Sequence, residues 1–170
     1  LDEGAGELTA LAFQKKLQSL SIRLGFEVGR DQYRGTLRTL SRNRDDAFQM
    51  IALALTQPRF DADAVERMRT SMLTSLLRNS RRPNYLARRA FWSAAFPGHP
   101  YGRPVSGTEK SIRAVTQADL KQFAADNFTR DNLYVGVVGD VTPAQLAVLL
   151  DKAFAKLPAK RKKQPVPMVA

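Results

Sequence analysis

Cysteine is absent from the 170 residues, which excludes disulfides, thiolate metal sites and cysteine nucleophiles. Histidine occurs once, as His99, so no HxxH, HxxEH or HExxH string exists. A zinc site needs three or four nitrogen, sulfur or carboxylate ligands converging on one point. His99 lies in the loop Pro97 to Gly102 and is expected to make an ordinary hydrogen bond rather than bind metal. No GxSxG elbow is present, Ser106-Gly107 standing in a loop without one. The phosphate-cradling patterns GxGxxG and GxxxxGK[ST] are missing too. No apolar run approaches the ~20 residues of a membrane span. From the residues alone, catalysis by this chain unaided is not expected. Leu1 is not an initiator methionine and no signal peptide is visible, so a fragment or processed product is expected.

What the chain has in plenty is positive charge. Lys+Arg 27 against Asp+Glu 16 gives a net charge of +11. Such a balance favours anionic partners. Arg78, Arg81, Arg82, Arg88 and Arg89 form one block, and the tail Lys160, Arg161, Lys162, Lys163 another. Aromatic residues do not interleave with these cations, so the stacking platform of a single-strand binder is missing. A solvated helix face plus a charged linker is the simpler account. Nucleic acid or an anionic surface ranks last among the partners considered.

The stretch Phe60 to Ser80 is expected to organise the chain. Asp61 can cap a helix start, because its carboxylate accepts free amide hydrogens of the first turn. Val65, Met68, Met72 and Leu76 recur at helical spacing, with Leu73 and Leu77 widening the stripe. Arg67, Thr70, Thr74 and Arg78 fall on the opposite face. Ser75 sits at the edge of the stripe, where a polar residue can look into a cleft.

Leu1 to Leu8 read as a loop, and Thr9 as the cap of an amphipathic helix carrying Leu11, Phe13, Leu17 and Leu20. Ile22, Leu24, Phe26 and Val28 then alternate with Arg23, Gly25, Glu27 and Gly29, as a half-buried strand requires. Tyr33 to Leu40 keeps extended spacing, so the two segments are read as an antiparallel pair. Asn43 or Asp45 can open a helix that Pro58 stops. Asn84 can cap another, through Trp92 to Phe96. Thr108 starts a short helical turn, and Thr116 with Asp119 resembles a capping box. Asn132 to Val138 (NLYVGVV) reads as a buried strand, and Thr142-Pro143 opens a last helix. The pattern means an α+β fold, a mainly antiparallel β-sheet with helices packed on one face. Residues 1–157 form the domain and 158–170 a basic, Pro-containing linker.

Three segments carry a family resemblance: PRFDADAVERMR, HPYGRPVSGTEKSI and NLYVGVVGDVT. With the residues around them, to about Pro158, they resemble the pitrilysin/insulinase-type zinc metallopeptidases. The resemblance implies an inverted HxxEH helix upstream of Leu1, so the domain is expected to lack its N-terminal strands and that helix. It also implies a distal glutamate ligand on a later helix, at the position held here by Ser75. A hydroxyl is a poor zinc ligand beside a carboxylate. Glu66 could serve only in a shifted register, which the flanking match opposes. Catalytic members usually carry an Asn-Ala pair on the edge strand that receives substrate; this chain has Gly25 and Phe26 there. Phe26 either points inward with Leu24 and Val28 as core or takes part in substrate binding.

The resemblance therefore implies an inactive-type, non-catalytic half or subunit. No metal is expected in this chain, and zinc is expected in a catalytic partner half. The partners implied are that half, in a homo- or hetero-oligomer, and a peptide substrate, in a periplasmic rather than cytoplasmic setting. The alternative is a fragment of an active zinc metalloendopeptidase whose HxxEH lies upstream. A third reading is a basic nucleic-acid or anionic-surface binding domain.

Overall fold

The computed structural model describes residues 1–162; residues 163–170, including Lys163 of the basic tail, lie outside it. A short hairpin opens the chain, β1 (Gly4–Ala5) against β2 (Leu8–Thr9), followed by α1 (Ala10–Ser19). A longer hairpin, β3 (Arg23–Val28) and β4 (Tyr33–Arg38), leads to α2 (Arg44–Thr56). Then come α3 (Ala62–Asn79), α4 (Pro83–Ala95), α5 (Glu109–Ala114), α6 (Gln117–Asn127) and α7 (Pro143–Phe154). The fold is α+β with antiparallel pairing, as the sequence indicates.

Helix starts follow side-chain chemistry. The Thr9 hydroxyl accepts from the amide of Ala12, 3.4 Å. Thr108 with Ser111, Thr116 with Asp119 and Thr142 with Gln145 form reciprocal capping boxes that satisfy orphan amides at the starts of α5, α6 and α7. Pro143 occupies the first turn of α7, where its missing N–H leaves no bond unmade.

The chain packs around α2. One face of this helix, Ala47, Met50 and Ala54, enters a core with Ala5, Phe13, Leu17 and Ile22. Another face, Phe48, Ala52 and Leu55, lies against Ala153, Phe154 and Leu157 at the end of α7. A helix apolar on two sides is one buried between neighbours. Phe13 and Met50 are fully buried, each contributing about 1.5–3 kcal/mol from apolar burial. Leu24 and Phe26 of β3 and Leu37 of β4 lean on the first core. The helices thus cover one face of the long hairpin and leave its other face open.

Several expectations change. The organising helix is α2 rather than the Phe60 to Ser80 stretch. That stretch is helical over Ala62–Asn79, but only Ala64 is buried, and Met68, Met72 and Leu77 stand exposed. The Asp61 carboxylate does not cap α3, because it accepts from Arg59 Nε at 2.7 Å instead. Asn43 directs its amide to the Leu20 carbonyl, 2.6 Å, and does not cap α2 by its side chain. Pro83, not Asn84, opens α4. Leu1 to Leu8 is a hairpin rather than a loop, tied to the end of α2 by a bridge between Ala5 and Pro58.

The largest correction concerns Asn132 to Val138. The segment forms no strand; Tyr134 is 94% exposed and Val138 wholly so. A strand owes its burial to neighbours on both sides, and the described residues supply none for this segment. It is held at its far end, where Arg44 Nη1 donates to the Asp140 carbonyl at 3.0 Å. The start of the expected linker is also tied down. Arg130 donates its amide to the Pro158 carbonyl, 2.9 Å, Arg161 donates its amide to Asp131, 3.1 Å, and Lys162 pairs with Asp126, 3.0 Å.

Candidate functional site

Ser75 lies near the C-terminal end of α3 and is half-buried. Its one side-chain hydrogen bond among the described residues comes from Arg78 Nη2, at 3.4 Å. The position therefore offers a neutral oxygen beside a guanidinium, and a positive charge a few ångströms away opposes a divalent cation. Glu66 stands nine residues earlier, about 13 Å along the helix axis, and is paired with Arg69 at 3.0 Å. Among the described residues, no three of His, Cys, Asp and Glu converge to hold a metal ion. The donor set of the described residues does not fit zinc.

His99 is buried, and its Nδ1 accepts from the Tyr101 amide at 3.1 Å. Its ring packs edge-on against Tyr101. This is the ordinary hydrogen bond that the sequence suggests.

Gly25 and Phe26 lie side by side on β3 but face opposite ways. Phe26 stands opposite Gly35 and stacks on Tyr33 with ring centroids 5.7 Å apart. A Cβ added at Gly35 would meet the Phe26 ring at 3.2 Å, so the aromatic ring fills the place of the missing side chain. Tyr33 continues the contact to Phe128 at 5.1 Å, and burial, with the Asp2 charge second, pushes its phenol up to about 12. The Phe26 ring is therefore engaged in packing, with Leu24; Val28, grouped with them in the sequence, is exposed. Gly25 faces the other way, opposite Thr36, with nothing within 4 Å of the place a Cβ would take. The outer edge of β3 pairs with no strand among the described residues.

The open face of this hairpin is charged. Arg23 stands directly opposite Arg38, Gly25 opposite Thr36, and Glu27 opposite Arg34. All three arginines are exposed, and none is in an ion pair among the described residues. The tip of the hairpin is clamped. Arg30 lies 3.9 Å from the centroid of the Trp92 ring and donates to the Tyr101 carbonyl at 2.6 Å. Its neighbour Asp31 accepts the Tyr101 hydroxyl. Sequence reasoning missed both features. The alternation of 23–28 with 33–38 carried the signal for the first, because hairpin register sets which side chains face one another. The second joins residues about 60–70 apart in sequence, and no local pattern announces it.

The structure does not unite the sequence-derived positions. Ser75 sits on α3, which packs on α5, whereas Gly25 and Phe26 belong to the hairpin against α1 and α2.

Comparison with known proteins places these features in a class. Residues 114–170 match the family model described as the peptidase M16 inactive domain. The non-peptidase homolog YmxG of Helicobacter pylori is 31% identical over 158 residues, covering 93% of this chain and 37% of that protein. A peptidase M16 inactive domain from Pseudomonas fluorescens superposes with a TM-score of 0.93 at 25% identity, over 99% of this chain and 42% of that one. The first half of the periplasmic protease PqqL from Escherichia coli shares the fold at a TM-score of 0.79 and 18% identity, over 98% and 37% of the two chains. Over nearly its whole length the chain is similar to pitrilysin-type, M16, peptidase domains. It spans about two fifths of the length of these relatives.

Proposed function

We propose that this chain is part of a non-catalytic half of a pitrilysin-type peptidase, pairing with a catalytic half and helping to hold an extended peptide for hydrolysis. The observation that carries the reading is Ser75, a hydroxyl that accepts from Arg78 at the position to which the family resemblance assigns an acidic ligand. Zinc, in this reading, belongs to the catalytic partner, and no chemical step is assigned to the present residues. The exposed apolar residues of α3, Met68, Met72 and Leu77, and the unpaired segment 133–138 are surfaces that a neighbouring part of such an assembly would cover. Pairing is as a homo- or hetero-oligomer, with 1–157 the peptidase-like unit and 158–170 a basic, Pro-containing linker.

The peptide adds along the free edge of β3, where main-chain groups offer pairing and Gly25 leaves room for its side chains. The test mixes the 170-residue chain with a fluorescent decapeptide in the presence of zinc. Binding without cleavage is expected; zinc-dependent cleavage contradicts the reading. A second reading, a fragment of an active zinc endopeptidase, draws on the likeness to half of a protease. An HxxEH motif encoded ahead of Leu1 would favour it.

A further inference from the structure

The outward face of the β3–β4 hairpin carries an arrangement that is unfavourable as it stands. Arg23 and Arg38 are partners in register, which in an antiparallel pair brings their Cβ atoms to about 4.5–5.5 Å. Like charges directly opposite destabilise a hairpin, and neither guanidinium is in an ion pair among the described residues. Arg34 adds a third cation to the same face, against the one acid Glu27. Between the two ends lie Gly25 and Thr36, the smallest pair on the face, with open space above the glycine. Two neighbouring guanidiniums beside a gap are relieved by a carboxylate seated in that gap, because each can present parallel N–H donors to its oxygens.

We propose that this face selects acidic side chains: Arg23 and Arg38 bind a carboxylate of an extended peptide laid along β3, with Gly25 and Thr36 leaving the space it enters. The inference rests on the peptide-holding reading above and names the class of peptide, one rich in Asp or Glu. An extended polypeptide fits better than a nucleic acid. The strand edge offers main-chain pairing, and the face has no aromatic ring on which a base could stack. Phe26 and Tyr33 both lie on the other face.

The test uses the 170-residue chain and three fluorescent decapeptides of one apolar frame, carrying Glu, Gln or Lys at alternate positions. Anisotropy titrations at low and high salt read the affinities. The Glu peptide is expected to bind about tenfold more tightly than the Gln peptide at low salt, as two charge-assisted contacts allow. The double variant Arg23→Gln/Arg38→Gln should lose that preference while melting no lower than the parent, since it removes a repulsion. Arg81→Gln/Arg82→Gln, which removes the same charge elsewhere, should keep it. A preference that survives Arg23→Gln/Arg38→Gln, or falls equally in both double variants, overturns the proposal and leaves peptide holding intact. Failure of the parent to bind any of the three peptides overturns both. Tighter binding of a single-stranded oligonucleotide, lost in Arg23→Gln/Arg38→Gln, overturns it in favour of a phosphate partner.

Discussion

The guanidinium of Arg30 lies 3.9 Å from the centroid of the Trp92 ring while one of its nitrogens donates to the Tyr101 carbonyl. One side chain at the turn of the β3–β4 hairpin thereby fastens it to α4 and to the loop that follows. Removing it deletes a cation–π contact and a charge-assisted hydrogen bond. Arg30→Ala should lower stability by about 1–3 kcal/mol in urea unfolding. Combined with Trp92→Leu the effects should be less than additive, because the two variants remove one shared contact.

Arg69 makes the corresponding link between α3 and α5. Its guanidinium donates to the carbonyls of Ile112, Arg113 and Val115, the last at 2.8 Å, and only 16% of its side chain is exposed. These carbonyls include orphans at the C-terminal end of α5, where a cation is also favoured by the helix dipole. Arg69→Met keeps the stem and loses the donors, and should cost about 2–3 kcal/mol. Arg67→Met, whose ion pairs with Glu3 and Asp63 are solvent-exposed, should cost clearly less. Thermal melts of the two variants side by side check the contrast.

Acid should weaken the second half of the chain in a defined way. The Thr116 hydroxyl and amide hold the Asp119 carboxyl below the usual carboxylate range. The Thr129 hydroxyl, then the Arg161 amide, do the same for Asp131. A carboxylate depressed in the folded state binds fewer protons than when unfolded, so its contribution is complete above the unfolded value of about 4. It fades as pH falls through the folded value. Melting temperature should therefore drop below about pH 4, and Asp119→Asn should flatten that drop while lowering the melt at pH 7.

The unpaired segment gives a prediction in hydrogen exchange. No backbone hydrogen bond protects residues 134–138 among the described residues. Their amides should exchange at close to the unprotected rate, while those of Phe13, Leu17 and Met50 persist. Protection gained at 134–138 on adding a partner half would mark the segment as an interface strand.

Capping chemistry was the most legible part of the sequence, because it is local. Thr9, Thr108, Thr116 and Thr142 each start the helix their spacing announces. The β3–β4 hairpin was legible from period-two alternation for the same reason. Failures came where a competing partner won. The Asp61 carboxylate makes no cap because Arg59, two residues earlier, takes it, and the Asn43 side chain makes none because its amide donates to the Leu20 carbonyl. The apolar run 132–138 has the pattern of a strand, but no strand pairs with it among the described residues, so pattern and exposure disagree there. At the candidate site, Ser75 was legible only through the family resemblance. The pairing of Arg23 with Arg38 could have been read from the hairpin's alternation but was not.

The zinc content of the purified 170-residue chain after dialysis, measured by plasma mass spectrometry, tests the central claim most directly. With a hydroxyl at Ser75 bonded to Arg78, the account predicts zinc well below one ion per chain and no gain in peptide cleavage when zinc is supplied. One tightly held zinc per chain, removed by chelator together with a peptidase activity, would contradict it.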